Sequence, residues 1–349
     1  MSNVEKIIKQ RIAQHGPMSL AEYMSLALCH PKYGYYITRD PLGVDGDFTT
    51  APEISQIFGE LVAVWIIDKW KNIGSPESFS LVECGPGRGT LMSDILRVVS
   101  KIPEFVSAVN VHMIEASPVL IEKQKEALLN YKDINWHYDF SEIPSDKPAI
   151  VIGNEFFDAL PLEQLVKIKD KWVQKVVSIN EKAEFGYGLR EMPPGFDLKN
   201  IKAEEEDVYE ISPVRISYMR NICDLIKENR GAALFIDYGY FRSSVGDTMQ
   251  GVKGHEYVDI LSNVGEADIT SHVDFEVLAK VAADVGIDDI SLMTQRDFLL
   301  SLGLKERAAA LMAIADEEQQ NDMVAAVKRL SGKDKSDMGE LFKVIEVIS

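Results

Sequence analysis

Residues 79–96 read FSLVECGPGRGTLMSDIL. A short apolar run ends on an acid, Glu83, and three glycines follow at every second position: Gly85, Gly87 and Gly89. Beyond them Leu91, Ile95, Val98 and Val99 fall on one helical face. The order is strand, tight turn, helix. Glycine tolerates positive φ and lets a backbone approach a ligand closely, so this turn reads as a binding turn. No lysine follows the glycines, which excludes a phosphate-cradling P-loop. Dinucleotide folds prefer GxGxxG, with a helix N-terminus aimed at a pyrophosphate. This chain has ExGxGxG instead.

The rhythm repeats on both sides of that stretch. VHMIEA, INWHYDF, AIVIGNE, AALFIDYG, DISLMT and FKVIEVIS read as further strands. Helical patterns separate them, opening at Ser117-Pro118, near Val214 and near Phe275. Alternating strands and helices predict an α/β fold, a doubly wound, mainly parallel sheet with helices on both faces. The first ~75 residues look mainly helical. Ser19 and Glu22 form a capping-box pattern, His30-Pro31 ends that helix, and Thr50 with Glu53 is expected to cap a long helix through Trp70. The expected division is 1–77, a helical region with a cofactor-covering loop, and 78–349, the core. Inserts are expected near 160–210, with a hairpin from Gln164 to Ile179, and near 296–331, mostly helical. Residues 192–210 read as a loop and a solvated acidic stretch.

The chain has 349 residues, 46% hydrophobic, with a net charge of −18. No basic run suggests a nucleic-acid partner. No apolar run approaches the ~20 residues of a membrane span. The three cysteines are far apart and odd in number, which fits a reducing compartment and gives neither a disulfide framework nor a cysteine zinc site. Cys84, at a strand end, reads as buried and structural. The histidines show no metal-ligand spacing, and no metal is expected. The N-terminus lacks an apolar signal region, so the cytoplasm is the expected compartment.

Tightly spaced glycines after an acid suit S-adenosylmethionine, which carries no phosphate but has an ammonium and a sulfonium. Glu83 is placed to face the ammonium, directly or through water, with Gly85, Gly87 and Gly89 at the amino-acid and ribose regions. Glu115 is placed to accept from two ribose hydroxyls. Asp139 and Phe140 are placed at the adenine. A nicotinamide or flavin fold is the competing reading.

VIGNEFFDALP puts Asn154 and Glu155 just past the fourth strand. Asp158 would share a pocket with them if the segment turns helically. Carboxylates here suit a cationic acceptor with several donors, and a guanidinium fork matches them in bidentate fashion. Glu155, Asp158 and Asn154 are therefore the catalytic candidates, with Glu155 the proton acceptor. Asp237 and Tyr238, ending the fifth strand, are candidates to line the acceptor pocket. His272 reads equally as a base or a structural histidine.

The chain resembles the MidA-type family of methyltransferases over nearly its whole length. YMSLALCHPKYGYY, GDFTTAPEISQIFGE, ECGPGRGTLMSDILR, GNEFFDALP, YEISP, ALFIDYGY, GEADITSHVDF and MGELFKV carry the resemblance. It implies a class I S-adenosylmethionine-dependent methyltransferase core with a mainly helical accessory region. Its mitochondrial members are protein-arginine methyltransferases that assist assembly of respiratory complex I. It implies a protein substrate presenting an arginine, and a GDFTTAPE loop over the cofactor with Thr49 and Thr50 in contact. Two positions depart from the pattern: Cys84 stands where an aromatic is expected, and Arg296-Asp297 where relatives show glycine. A cofactor-binding assembly factor with secondary catalysis is the alternative, and homo-oligomerisation stays open.

Overall fold

The computed structural model describes residues 2–40, 49–196, 198 and 201–349. The central sheet contains seven principal strands: β1 (Phe79–Cys84), β2 (Val109–Ile114), β3 (Ile134–His137), β4 (Ala149–Asn154), β5 (Gly231–Tyr240), β6 (Asp289–Thr294) and β7 (Phe342–Ile348). Their order is β6-β7-β5-β4-β1-β2-β3. The run from β3 to β5 is parallel, and β7 lies antiparallel between β5 and β6.

β1 is buried at all six positions, as a parallel strand covered on both faces must be. Period-2 alternation splits its neighbours between two cores. Leu81, Val111, Met113, Ile150 and Ile152 face one side, where Gln56–Asn72 and Thr90–Val99 pack. Val82, Cys84, Ile114 and Val151 face the other, under Pro213–Asn229 and Phe275–Val285. Each such side chain contributes about 1.5–3 kcal/mol by burial. Cys84 is a core residue, as expected. From β1 the chain runs outward to β2 and β3, then crosses back to the other side of β1 for β4. That switch point opens a crevice at the carboxyl ends of both strands.

The accessory region has the expected helices, Asn3–His15 and Leu20–Cys29, and two sheets besides. Met18–Ser19 pairs antiparallel with Val176 and Val177 of strand Lys171–Ile179. Glu163–Ile168, Phe185–Glu191 and Val208–Ile211 complete five strands. Val4, Ile8, Leu20 and Met24 pack with Leu162, Val177 and Ile269 in one core. The N-terminal segment and the insert near 160–210 are thus one packed unit. A three-stranded sheet, Gln250–Lys253, Glu256–Val258 and Asp268–Thr270, joins the same core through Ile269.

Two sequence expectations are corrected. The helix expected from Thr50 through Trp70 is broken: Ala51–Ile54 makes one turn, Ser55 is extended, and Ser55 Oγ then accepts from Ile57 N–H to start Gln56–Asn72. Residues 208–211, expected in a loop, form a strand whose Tyr209 and Glu210 are buried. The helical insert spans Gln295–Ser331 in three helices. Arg307 anchors it by donating to Glu60 Oε2 at 2.6 Å. Among the described residues no helix is long and apolar enough to cross a membrane.

Candidate active site

A cavity of about 300 Å³ opens at the switch point. Gly85, Gly87 and Gly89 all take left-handed backbone, with φ of 64°, 56° and 82°. This is the physical reason for glycine at every second position: L side chains are strained there. Gly85 and Gly87 line the cavity, whereas Gly89 caps the following helix and packs on Gln124. Gln124 ties the cradle together. Its Nε2 donates to Gly87 O at 2.8 Å and to Glu115 Oε2 at 3.1 Å, and its Oε1 accepts from Trp136 Nε1 at 2.9 Å.

Glu83 and Glu115 both line the cavity. Burial, with the charge of Glu115 adding to it, raises the Glu83 carboxyl to about 8. Burial raises Glu115 to about 7, against hydrogen bonds from Ser117 and Gln124. Glu83 Oε2 and Asn154 Oδ1 are buried acceptors with no protein donor. Buried acceptors normally have partners. A ligand ammonium would supply the missing donors.

The loop after β4 is not a helix. Glu155 sits at φ 52°, a strained conformation for a non-glycine residue. What holds it is the packing and hydrogen bonding around it. Phe157 is buried with its ring 4.7 Å from Phe235. Asp237 Oδ2 accepts from the N–H groups of Phe157 and Asp158 at 2.9 and 3.1 Å. Arg215 Nη2 donates to Asp158 O at 2.9 Å. Glu155 and Asp158 nevertheless line the same cavity. Burial first, then repulsion from Asp158, raises Glu155 to about 8. Burial also raises Asp158, opposed by Tyr238 and Arg215. Glu155 Oε1 accepts from Ala51 N–H and Asn154 Nδ2, which joins the loop to the N-terminal region.

Several candidates sit elsewhere than expected. Phe140 is buried in the core under β1 and β4, so its ring is spent on packing. Asp139 is exposed and caps a short 3-10 turn, its Oδ1 taken by Ser141 N–H and Oγ. Tyr138 is the residue of that segment lining the cavity. Asp237 holds the Glu155 loop from behind and does not line the cavity, whereas Tyr238 does. Thr50 lines it and Thr49 does not; residues 41–48 of the expected covering loop lie outside the described residues. His272 packs edge-on against Tyr238, 5.4 Å between ring centroids, away from the cavity.

The sequence reading missed Glu53, Tyr36, Tyr218 and Asp268, all in the lining. Glu53 accepts from Thr90 Oγ1, pinning the N-terminal region over the glycine turn. Tyr36 and Asp268 meet from positions 232 residues apart. Six carboxylates line the cavity against one arginine, Arg88, which is itself paired with Asp40 at 2.9 Å. Such a site suits cationic ligands. Among the described residues no cluster could hold a metal ion.

Comparison with known proteins decides the class. The family described as "Putative S-adenosyl-L-methionine-dependent methyltransferase" matches residues 61–291. The chain belongs to that family. It is a methyltransferase, and its cofactor is S-adenosylmethionine. The methyltransferase is 34% identical to "Protein arginine methyltransferase NDUFAF7, mitochondrial" of Danio rerio, over 99% of this chain and 87% of the relative. It is 33% identical to the Drosophila melanogaster homolog of the same name, over 98% and 84%. A crystal structure of a "likely methyl transferase" from Burkholderia thailandensis, bound to S-adenosyl-homocysteine, superposes with a TM-score of 0.87 at 25% identity, covering 99% of this chain and 92% of that one. The orphaned acceptors of Glu83 and Asn154 fit such a ligand.

Proposed function

We propose that this methyltransferase acts on an arginine side chain of a protein, held by Glu155 and Asp158. One observation carries the reading: two carboxylates from one loop, Glu155 half-buried and Asp158 buried, line the cavity that also holds the cofactor acids. The relatives named as protein arginine methyltransferases support the same acceptor.

Glu83 and Asn154 would take the cofactor's ammonium, Gly85 and Gly87 would leave room for its amino-acid end, and Glu115 would take ribose hydroxyls. S-adenosylmethionine, when bound, supplies an electrophilic methyl group on a sulfonium. The chain's own work is to position the acceptor nitrogen in line with that group. A guanidinium is planar and permanently charged, so it pairs with carboxylates where a neutral amine would not. Its charge also brings the two acids down toward ionisation. Transfer leaves the nitrogen with one proton too many. Glu155, raised to about 8 by burial and by Asp158, has the basicity of a proton acceptor near neutral pH. Asn154 fixes Glu155 by donating from Nδ2 at 3.1 Å.

Within this reading the target is a protein of respiratory complex I or its assembly, as the resemblance implies, and the reaction runs in the cytoplasm. The assembly-factor alternative gives no reason for a strained Glu155 in the cavity wall. The test is incubation of a lysate with the enzyme and isotopically labelled S-adenosylmethionine, then mass spectrometry of labelled peptides. Label on arginine nitrogen is the expected result. Label confined to lysine or to an N-terminus overturns the reading.

A further inference from the structure

A phenol–carboxylate pair lines the cavity and has no part in the scheme above. Tyr36 Oη donates to Asp268 Oδ1 at 2.6 Å. Both residues share the lining with Glu155 and Asp158. They come from different elements: Tyr36 from the turn Tyr35–Thr38, Asp268 from the three-stranded sheet. Asp268 is 4% exposed, and its Oδ1 also accepts Ile269 N–H at 2.8 Å.

Tyr36 is fixed at its other end too. Its carbonyl accepts from Ser117 Oγ at 2.5 Å, and Ser117 N–H is held by Glu115 at 2.8 Å. The residue therefore spans the site, from the acid at the ribose end to the acids at the acceptor end. A phenol has one proton and two lone pairs. With the proton committed to Asp268, the oxygen can offer only lone pairs to a further partner. Burial, then the charges of Asp268 and Asp158, holds the Tyr36 hydroxyl well above its ordinary range, so it stays neutral and keeps that role.

A guanidinium presents five N–H donors in one plane. Two carboxylates on a single loop approach it from one side. The donors on the other terminal nitrogen need an acceptor from a different element. We propose that Tyr36, its proton fixed on Asp268, is a specificity-determining residue that accepts an N–H from the guanidinium nitrogen not being methylated. This rests on the arginine reading. It explains discrimination against lysine, because an ammonium has a single nitrogen and cannot reach both walls.

Tyr36→Phe removes one oxygen and leaves the ring and the backbone bond to Ser117. Steady-state transfer is measured with an arginine peptide taken from a protein that the wild-type enzyme labels. The KM for peptide rises roughly tenfold or more, as expected for a hydrogen bond to a charged group. The kcat changes less than about threefold, and S-adenosylmethionine affinity by calorimetry is unchanged, since the acceptor binding lost is equal in the ground and transition states. Asp268→Asn keeps an acceptor for the phenol proton and gives a smaller KM rise, which guards against a misfolded first variant. An unchanged KM in folded Tyr36→Phe overturns the proposal while the arginine reading stands. Parallel loss of cofactor affinity also overturns it, because the phenol would then serve the cofactor. Labelling of lysine by the wild-type enzyme sinks the arginine reading, and this proposal with it.

Discussion

Burial and the neighbouring Glu115 raise the Glu83 carboxyl to about 8, yet a cationic ligand needs it ionised. Binding S-adenosylmethionine below pH 8 should therefore release a proton. Affinity should rise up to about tenfold per pH unit toward 8 and then level off. Calorimetry in two buffers of different ionisation enthalpy measures the release, and Glu83→Gln should abolish most of it. The same shift sets the stability of the free protein. An unfolded glutamate titrates near pH 4.3, so the raised folded value gives stability that is full below that pH and is lost as pH climbs to about 8. A pH-independent affinity would show that Glu83 does not meet the cation. At this scale the sequence was readable where function sits at a strand end. Glu83, Glu115, Asn154, Glu155 and Asp158 were placed in the cavity wall because strand, acid and turn are neighbours in the chain. Tyr36 and Asp268 were not, because their meeting depends on folding two loop-rich segments together. Phe140 was misplaced because a strand-end aromatic reads alike whether it faces core or cleft.

The loop between β4 and Pro161 depends on Gly153 as much as on its acids. A Cβ on Gly153 would meet Phe235 Cε1 at 2.5 Å and Cδ1 at 2.7 Å. Phe235 in turn supports Phe157, whose neighbours are Phe156 and Asp158. Gly153→Ala should cost about 1–3 kcal/mol by overpacking and lower methyl transfer by moving Glu155. Urea unfolding gives the first number and single-turnover rates the second. A stability within about 0.5 kcal/mol of wild type would mean the ring yields freely. The long strands and helices of the core were legible because the strands are nearly continuous apolar runs and the helices keep a 3.6-residue apolar period. The five-stranded accessory sheet was only half legible. Glu163–Ile168 and Lys171–Ile179 are strand-like runs on either side of a polar break, but Met18–Ser19 is two residues long and Phe185–Glu191 contains two glycines. Such strands exist through pairing with distant partners, and no local pattern announces them. The break at Ser55 was invisible for a related reason: the apolar stripe continues on both sides of it.

Across the whole molecule, the N-terminal segment and the insert share one core, and together with the central sheet they close the cavity from several directions. Glu53 on Thr90, Ala51 on Glu155 and Tyr36 on Asp268 are the contacts through which distant parts of the chain build one site. The helical insert is tied in by the Glu60–Arg307 pair. This layout explains why a fold readable from β1 outward still concealed Tyr36 and Asp268 in the cavity wall. The proposed chemistry turns on Glu155 and Asp158 holding a guanidinium beside the cofactor. Single-turnover methyl transfer by Glu155→Gln, on an arginine substrate and at saturating S-adenosylmethionine, tests it most directly. The amide keeps the size and one acceptor but loses the charge that orients the fork and takes the proton. The expected rate is lower by roughly a hundredfold or more, with cofactor affinity within about twofold of wild type. Near-normal transfer by the folded variant would contradict it.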